Sequence, residues 1–243
     1  MIEAFAWGLG AAFSLVIGGW IAALMKIPTR VLGLIMAFGV GVLISAVSFE
    51  LVDEAFQSTN RGWAVGVGLL AGAVTFFIGD VLIDRMGGRN HRKKGKENEQ
   101  GSGPVILLGT ILDGIPESVV IGLTLVKGGS ISVAMVVAVF LSNLPEAISA
   151  TAGLKKGGWK TRRTTILWLS VAIVSGLASL VGYSLFDTAK PEVLAFTMAF
   201  AAGALLTMLA DSMMPEAYRD SGKLVGLVTT LGFGLAYFIS EIA

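Results

Sequence analysis

Apolar residues in this chain come in long unbroken runs, not in the alternation of a half-buried strand or the narrow stripe of a surface helix. A bilayer core needs about 20 mostly apolar residues per helix. Charged and polar breaks divide the sequence into eight such stretches, over about 3–25, 31–52, 63–84, 104–126, 130–153, 164–186, 191–213 and 222–241. The pattern predicts an all-α polytopic membrane protein, one transmembrane domain over residues 1–243 with short connections. One connection differs. The stretch from Arg85 to Gly103, RMGGRNHRKKGKENEQGSG, is charged and glycine-rich and has no apolar surface to bury. The first run carries no basic flank and no clear small-residue cleavage site, so it is read as a retained span.

Composition sharpens this reading. Of the 243 residues, 54% are hydrophobic and 14% charged, against about 25% charged in an ordinary soluble domain. There is no cysteine, which excludes both a disulfide framework and a thiolate metal site. The net charge of +1 conceals a strong asymmetry. Fifteen of the 18 Lys and Arg residues fall in the odd-numbered connections, leaving only Arg61, Lys127 and Lys190 in the even ones. Cytoplasmic loops collect basic residues, so the odd connections, including the basic loop 85–103, are placed inside and both termini outside. The expected location is the cell's inner (plasma) membrane. The basic run from Arg89 to Lys96 then serves topological retention or contact with anionic lipid, not nucleic-acid binding, which would need a folded basic surface. His91, in the same loop, reads as a solvated side chain.

Two pieces of the chain resemble each other 162 residues apart: AFGVGVLISAVSFELVDEAF from Ala37 and AFAAGALLTMLADSMMPEAY from Ala199. Gly41 falls opposite Gly203, Glu54 opposite Glu216 and Phe56 opposite Tyr218. These are the second and seventh spans, which cross in opposite directions. An inverted repeat follows, with spans 1–3 mirrored by spans 6–8 and spans 4 and 5 between them, a 3+2+3 plan common among secondary transporters.

Charges inside a span are costly and point to function. Span 4 reads ILLGTILDGIPESVVIGLTL and carries Asp113 and Glu117; span 5 reads VVAVFLSNLPEAISATAG and carries Ser142, Asn143 and Glu146. Asp113 and Glu117 are four apart, as are Ser142 and Glu146, so each pair shares a helix face. Pro116 and Pro145 each precede a glutamate and release the carbonyls of Leu112 and Leu141 from their helical hydrogen bonds. Three acids in one small volume repel one another. A divalent cation resolves that conflict, with oxygen donors replacing its water shell. No organic cofactor is implied. Two other readings of these acids stay open at this point: protonated carboxyls bonded between helices, and a proton relay without metal. An enzyme is not expected, because the signals of an intramembrane hydrolase are missing: no GxGD motif, no serine–histidine pair and no HExxH. Asp80 inside span 3, the group Glu50, Asp53 and Glu54, and the pair Asp211 and Glu216 are further intramembrane or interfacial acids, the last two groups at opposite mouths.

These residues resemble those of the ZIP family of divalent-metal transporters over essentially the whole chain. The resemblance rests on DGIPESVVIG in span 4, SNLPEAISA in span 5, MMPEAY closing span 7, and the variable polar loop between spans 3 and 4. Family members carry HNxPEG in span 4 and HxxPEG or QDxPEG in span 5, forming a mid-membrane metal site that is often binuclear. The resemblance implies a 3+2+3 inverted-repeat fold and movement of Zn²⁺, Fe²⁺ or Mn²⁺, usually into the cytoplasm. It puts Asp113 at the span 4 histidine, Glu117 and Glu146 at the two bridging glutamates, Ser142 at the span 5 His/Gln position and Asn143 at the Asp/Asn position. Gly114 replaces the family's asparagine, and Ser179 stands where the family's span 6 glutamate is expected, so two ligands of a second metal are absent. The expected metal ligands are Asp113, Glu117, Ser142, Asn143 and Glu146, with oxygen donors throughout. The expected partners are a divalent metal ion and the lipid bilayer, with a homodimer left open. A non-transporting metal-binding or sensor protein, and a proton-coupled carrier of another solute, are the alternative functions.

Overall fold

The computed structural model describes residues 1–59, 62–85, 102–128, 131–186 and 189–242, and among the described residues every regular element is a helix. The basic run Arg89 to Lys96, His91 included, lies outside them. Helix α1 is Ile2–Leu24; α2 is Thr29–Ala46, continued through Val47–Asp53 to Glu54–Gln57; α3 is Gly62–Arg85. Helix α4 is Ser102–Gly128, α5 is Val133–Lys156 and α6 is Thr161–Phe186. Helix α7 is Pro191–Met208, continued through Leu209–Met213 to Met214–Ser221, and α8 is Leu224–Ile242. Seven of these are long and apolar enough to cross a membrane; α8 is apolar over Leu224–Ser240 but shorter. The chain is an all-α polytopic membrane protein.

The ends of the helices follow from local chemistry. Ser132 caps α5, its hydroxyl accepting from the Met135 amide at 3.0 Å. Pro191 opens α7, where its missing N–H costs nothing. Gly158 (φ 84°) turns α5 into α6 and Gly222 (φ 67°) ends α7, both in backbone regions that disfavour other side chains.

The packing obeys the inverted repeat. Helix α3 lies along α7 as α8 lies along α2; α1 packs on α5 as α6 packs on α4; α2 meets α5 as α7 meets α4. Exchanging 1 with 6, 2 with 7, 3 with 8 and 4 with 5 maps each contact onto another. The contacts themselves repeat. A β-carbon at Gly41 would collide with the Thr229 carbonyl of α8, and one at Gly203 with the Leu69 carbonyl of α3. Gly232 meets the Phe38 carbonyl in the same way, and Gly72 the Phe200 carbonyl. Backbones thus touch directly, which is how helices associate in lipid, where water exclusion between them supplies no drive.

Even the irregularities are symmetric. The wide, π-type turns of α2 and α7 begin at Val47 and Leu209, 162 residues apart, the same offset as the sequence repeat. In α7 the cause is Pro215, which cannot donate to the carbonyl of Asp211. In α2 the Ser48 hydroxyl donates to the Ile44 carbonyl at 2.7 Å and competes with the helical ladder.

If these glycines set the interhelical spacing, Gly41→Ala and Gly203→Ala each destabilise the protein by about 1–3 kcal/mol through overpacking. Gly10→Ala, where a β-carbon meets nothing within 4 Å, gains helix propensity instead and is neutral or stabilising by up to about 1 kcal/mol. Unfolding in detergent, followed by tryptophan fluorescence, checks the contrast.

Candidate metal centre

Helices α4 and α5 supply the intramembrane acids. On α4, Thr110, Asp113 and Glu117 follow one another at spacings of three and four, which places them on one face. All three are buried, Glu117 to 2% exposure. On α5, Ser142 and Asn143 are buried and Glu146 is partly so. Both helices run on through their prolines, Pro116 and Pro145.

Hydrogen bonds cross between the helices. The Ser142 hydroxyl of α5 donates to Glu117 Oε1 at 3.4 Å, while also donating to its own helix at the Val139 carbonyl, 3.0 Å away. The Thr110 hydroxyl of α4 donates to Glu146 Oε1 at 3.1 Å. Each glutamate is therefore held at one oxygen by the opposite helix. Glu117 Oε2 is buried and has no hydrogen-bond partner. Glu146 and Asp113 both lie near enough for their charge to act on Glu117.

That arrangement is electrostatically incomplete. Buried polar atoms are almost always paired, and an exception calls for an explanation such as an ion. An ionised carboxylate out of water costs several kcal/mol unless a charge and hydrogen bonds compensate it. No Lys or Arg lies between Gly109 and Val126 or between Val133 and Leu154 to provide that charge. A cation with a preference for oxygen fits the donor set of carboxylates, hydroxyls and an amide. The fit has a limit: among the described residues no three His, Cys, Asp or Glu side chains converge closely enough to hold a metal by themselves. The structure joins Glu117 with Ser142 and Glu146 with Thr110, so hydroxyls must share the work of the carboxylates.

The other expected contributors are placed as follows. The Leu141 carbonyl, released by Pro145, lies against Gly39 of α2, 3.3 Å from where a β-carbon there would sit. The Leu112 side chain packs against Gly79 of α3. Ser179, at the position of the family's span 6 glutamate, donates to the Ala4 carbonyl at 2.8 Å and packs against Gly8, joining α6 to α1. Gly114 faces the Ser175 hydroxyl. Of the peripheral acids, Asp53 accepts from Gln57 at 2.6 Å and Glu216 pairs with Arg219 at 3.4 Å, so both have surface partners. Thr110 is the residue that sequence reasoning missed. Its signal was its spacing, three before Asp113 and seven before Glu117.

No family model matches the chain. Individual relatives do. The chain is 26% identical over 203 residues to the zinc transporter ZupT of an Enterobacter species, covering 79% of this chain and 77% of that one. It is 26% identical over 216 residues to ZupT of Escherichia fergusonii, covering 83% and 81%. A putative zinc transporter of Arabidopsis thaliana is 23% identical over 193 residues, 78% of this chain, but the match spans only 30% of that longer protein. The chain is similar to named zinc transporters over most of its length. It carries acids on the proline-interrupted helices α4 and α5, with no histidine in any described helix.

The burial of Glu117 yields a direct test. Glu117→Gln keeps the shape and removes the charge, so the metal-free protein is no less stable than the wild type at neutral pH. Glu117→Ala leaves a cavity and costs about 2–4 kcal/mol. Thermal unfolding in chelator-treated detergent separates the two, and a large loss in the glutamine variant contradicts the account.

Proposed function

We propose that this protein carries a divalent metal cation across the membrane through a site built from Asp113, Glu117, Ser142, Asn143 and Glu146, with import into the cytoplasm of Zn²⁺, Mn²⁺ or Fe²⁺. The observation that carries the reading is the buried Glu117 carboxylate with an unpartnered oxygen, flanked by Glu146 and Asp113, with no Lys or Arg between Gly109 and Val126 or between Val133 and Leu154. The zinc transporters among its relatives support the class of cargo. A carrier rather than a catalyst is what such a site serves.

The remaining features agree with that role. We assign α8 as the eighth crossing, with both termini outside, because this order puts 15 of the 18 basic residues on the cytoplasmic side. In the inner membrane that polarity makes entry of a dication favourable by about 4.6 kcal/mol at 100 mV. One ion is expected rather than two. Gly114 offers no donor, and the Ser179 hydroxyl is committed to the Ala4 carbonyl. The oxygen-only donors tilt the site toward Mn²⁺ and Fe²⁺ relative to a histidine site, while Zn²⁺ also accepts carboxylates.

The test is uptake by proteoliposomes under an imposed potential, screening Zn²⁺, Mn²⁺, Fe²⁺, Co²⁺, Cd²⁺ and Mg²⁺. Saturable flux is expected for at least one ion, reduced to the level of empty vesicles in Glu117→Gln/Glu146→Gln. Absence of flux for every ion from a folded sample, or an unaffected double variant, overturns the proposal.

A further inference from the structure

Several threonines of this protein bond within their own helix, whereas Thr229 reaches a backbone carbonyl of a neighbouring helix and Thr110 reaches a carboxylate. Thr75, Thr197, Thr207 and Thr230 each donate their hydroxyl to the carbonyl four residues back in their own helix, at 2.7–2.9 Å. That local bond is what a threonine in an apolar helix ordinarily makes. Thr110 is buried to 3% exposure, yet its hydroxyl crosses to α5 and donates to Glu146 Oε1. Its β-branched side chain has few rotamers, so the hydroxyl is delivered from a nearly fixed point.

We propose that Thr110 is a positioning residue for the metal site: it holds Glu146 Oε1 across the α4–α5 interface and thereby sets the rotamer in which that carboxylate meets the cation. The inference rests on the proposed metal-carrying role and deepens it. A partly buried glutamate has three rotatable bonds, and orienting it in advance removes an ordering cost from ion binding. Hydrogen bonds to a charged group are among the stronger ones. The partner of Glu117, Ser142, divides its hydroxyl between Glu117 and the Val139 carbonyl, and its contact is the longer one, 3.4 Å against 3.1 Å. The firmer anchor is therefore on the Glu146 side, and it comes from a residue outside the motif of prolines and acids.

The experiment compares KM and maximal rate of Zn²⁺ and Mn²⁺ uptake in proteoliposomes for the wild type, Thr110→Val and Thr110→Ser, with Thr75→Val as a control. Thr110→Val keeps the shape and loses the hydroxyl; it is expected to raise KM about tenfold with the maximal rate within about twofold, the size of a lost charged hydrogen bond. Thr110→Ser restores the hydroxyl and returns KM to within about twofold of the wild type, and Thr75→Val changes neither constant. If the valine variant fails to fold, Thr110→Ala is read in its place by the same criteria. An unchanged KM in the hydroxyl-free variant, a loss confined to the maximal rate, or a serine variant no better than valine overturns the inference while wild-type uptake stands. A wild type that moves no metal overturns the proposed function as well.

Discussion

Everything in the centre of this protein depends on keeping carboxylates in a low-dielectric interior with no Lys or Arg on the stretches of helix that carry them. Glu117 shows the constraint in its simplest form, with one oxygen on a shared serine hydroxyl and the other without a partner. Pairing with Lys or Arg is the usual solution for a buried acid, and a permanent ion pair would occupy the space that a mobile cation needs. Hydroxyls are weaker partners. They hold one oxygen of each glutamate without neutralising it, so at the proposed site a dication would be bound against modest competition and could leave again. A carrier requires that balance, since a site that binds too well does not release.

The surrounding helices are built to hold that site with little material. Gly41, Gly72, Gly203 and Gly232 let α2, α3, α7 and α8 touch backbone to backbone in two equivalent pairs. Helices α1, α4, α5 and α6 form the other set of contacts, tied by Ser179 to the Ala4 carbonyl and by the Trp168 indole to Thr151 at 2.7 Å. Small residues and interhelical hydroxyl bonds replace the large apolar cores of soluble proteins. The π-type turns at Val47 and Leu209 fall at repeat-equivalent places in α2 and α7, the two helices that meet α5 and α4 from outside. The irregular backbone is thus part of the repeated unit.

Much of this was legible in the chain. Hydropathy marked where long helices lie because lipid admits little but long apolar runs, while α2 and α7 run on to Gln57 and Ser221, past the apolar stretches expected to end at about 52 and 213. The 162-residue offset between Ala37 and Ala199 carried the repeat, and the structure extends it to glycine contacts and turn positions that residue identity alone does not mark. Pro215 foretells the turn in α7; nothing as strong foretells the one in α2, where a serine hydroxyl acts instead. Which residues share a face on α4 and on α5 followed from spacing. Which side chain reaches across did not, because that depends on how two helices are set against each other. Thr110 in an apolar helix looks like any self-bonded threonine until α5 is beside it. The Leu141 carbonyl shows the same limit, since the backbone group freed by Pro145 is met by the close approach of Gly39.

The departures from the family pattern acquire a physical meaning once these contacts are known. A glutamate at position 179 would have to displace a serine that packs against Gly8 and bonds to the Ala4 carbonyl, so the α1–α6 contact here is made closer than a second acid would allow. Gly114 removes a donor on the face of α4 that looks toward Ser175 of the same α6. Both changes lie on one side of the proposed site, toward α6, and both exchange ligand chemistry for helix packing. The opposite side, between α4 and α5, keeps its acids and adds hydroxyls from Thr110 and Ser142. The structure therefore concentrates its oxygen donors at one interface and closes the other, an asymmetry suited to a single hard-donor ion and poorly suited to a pair sharing bridging carboxylates.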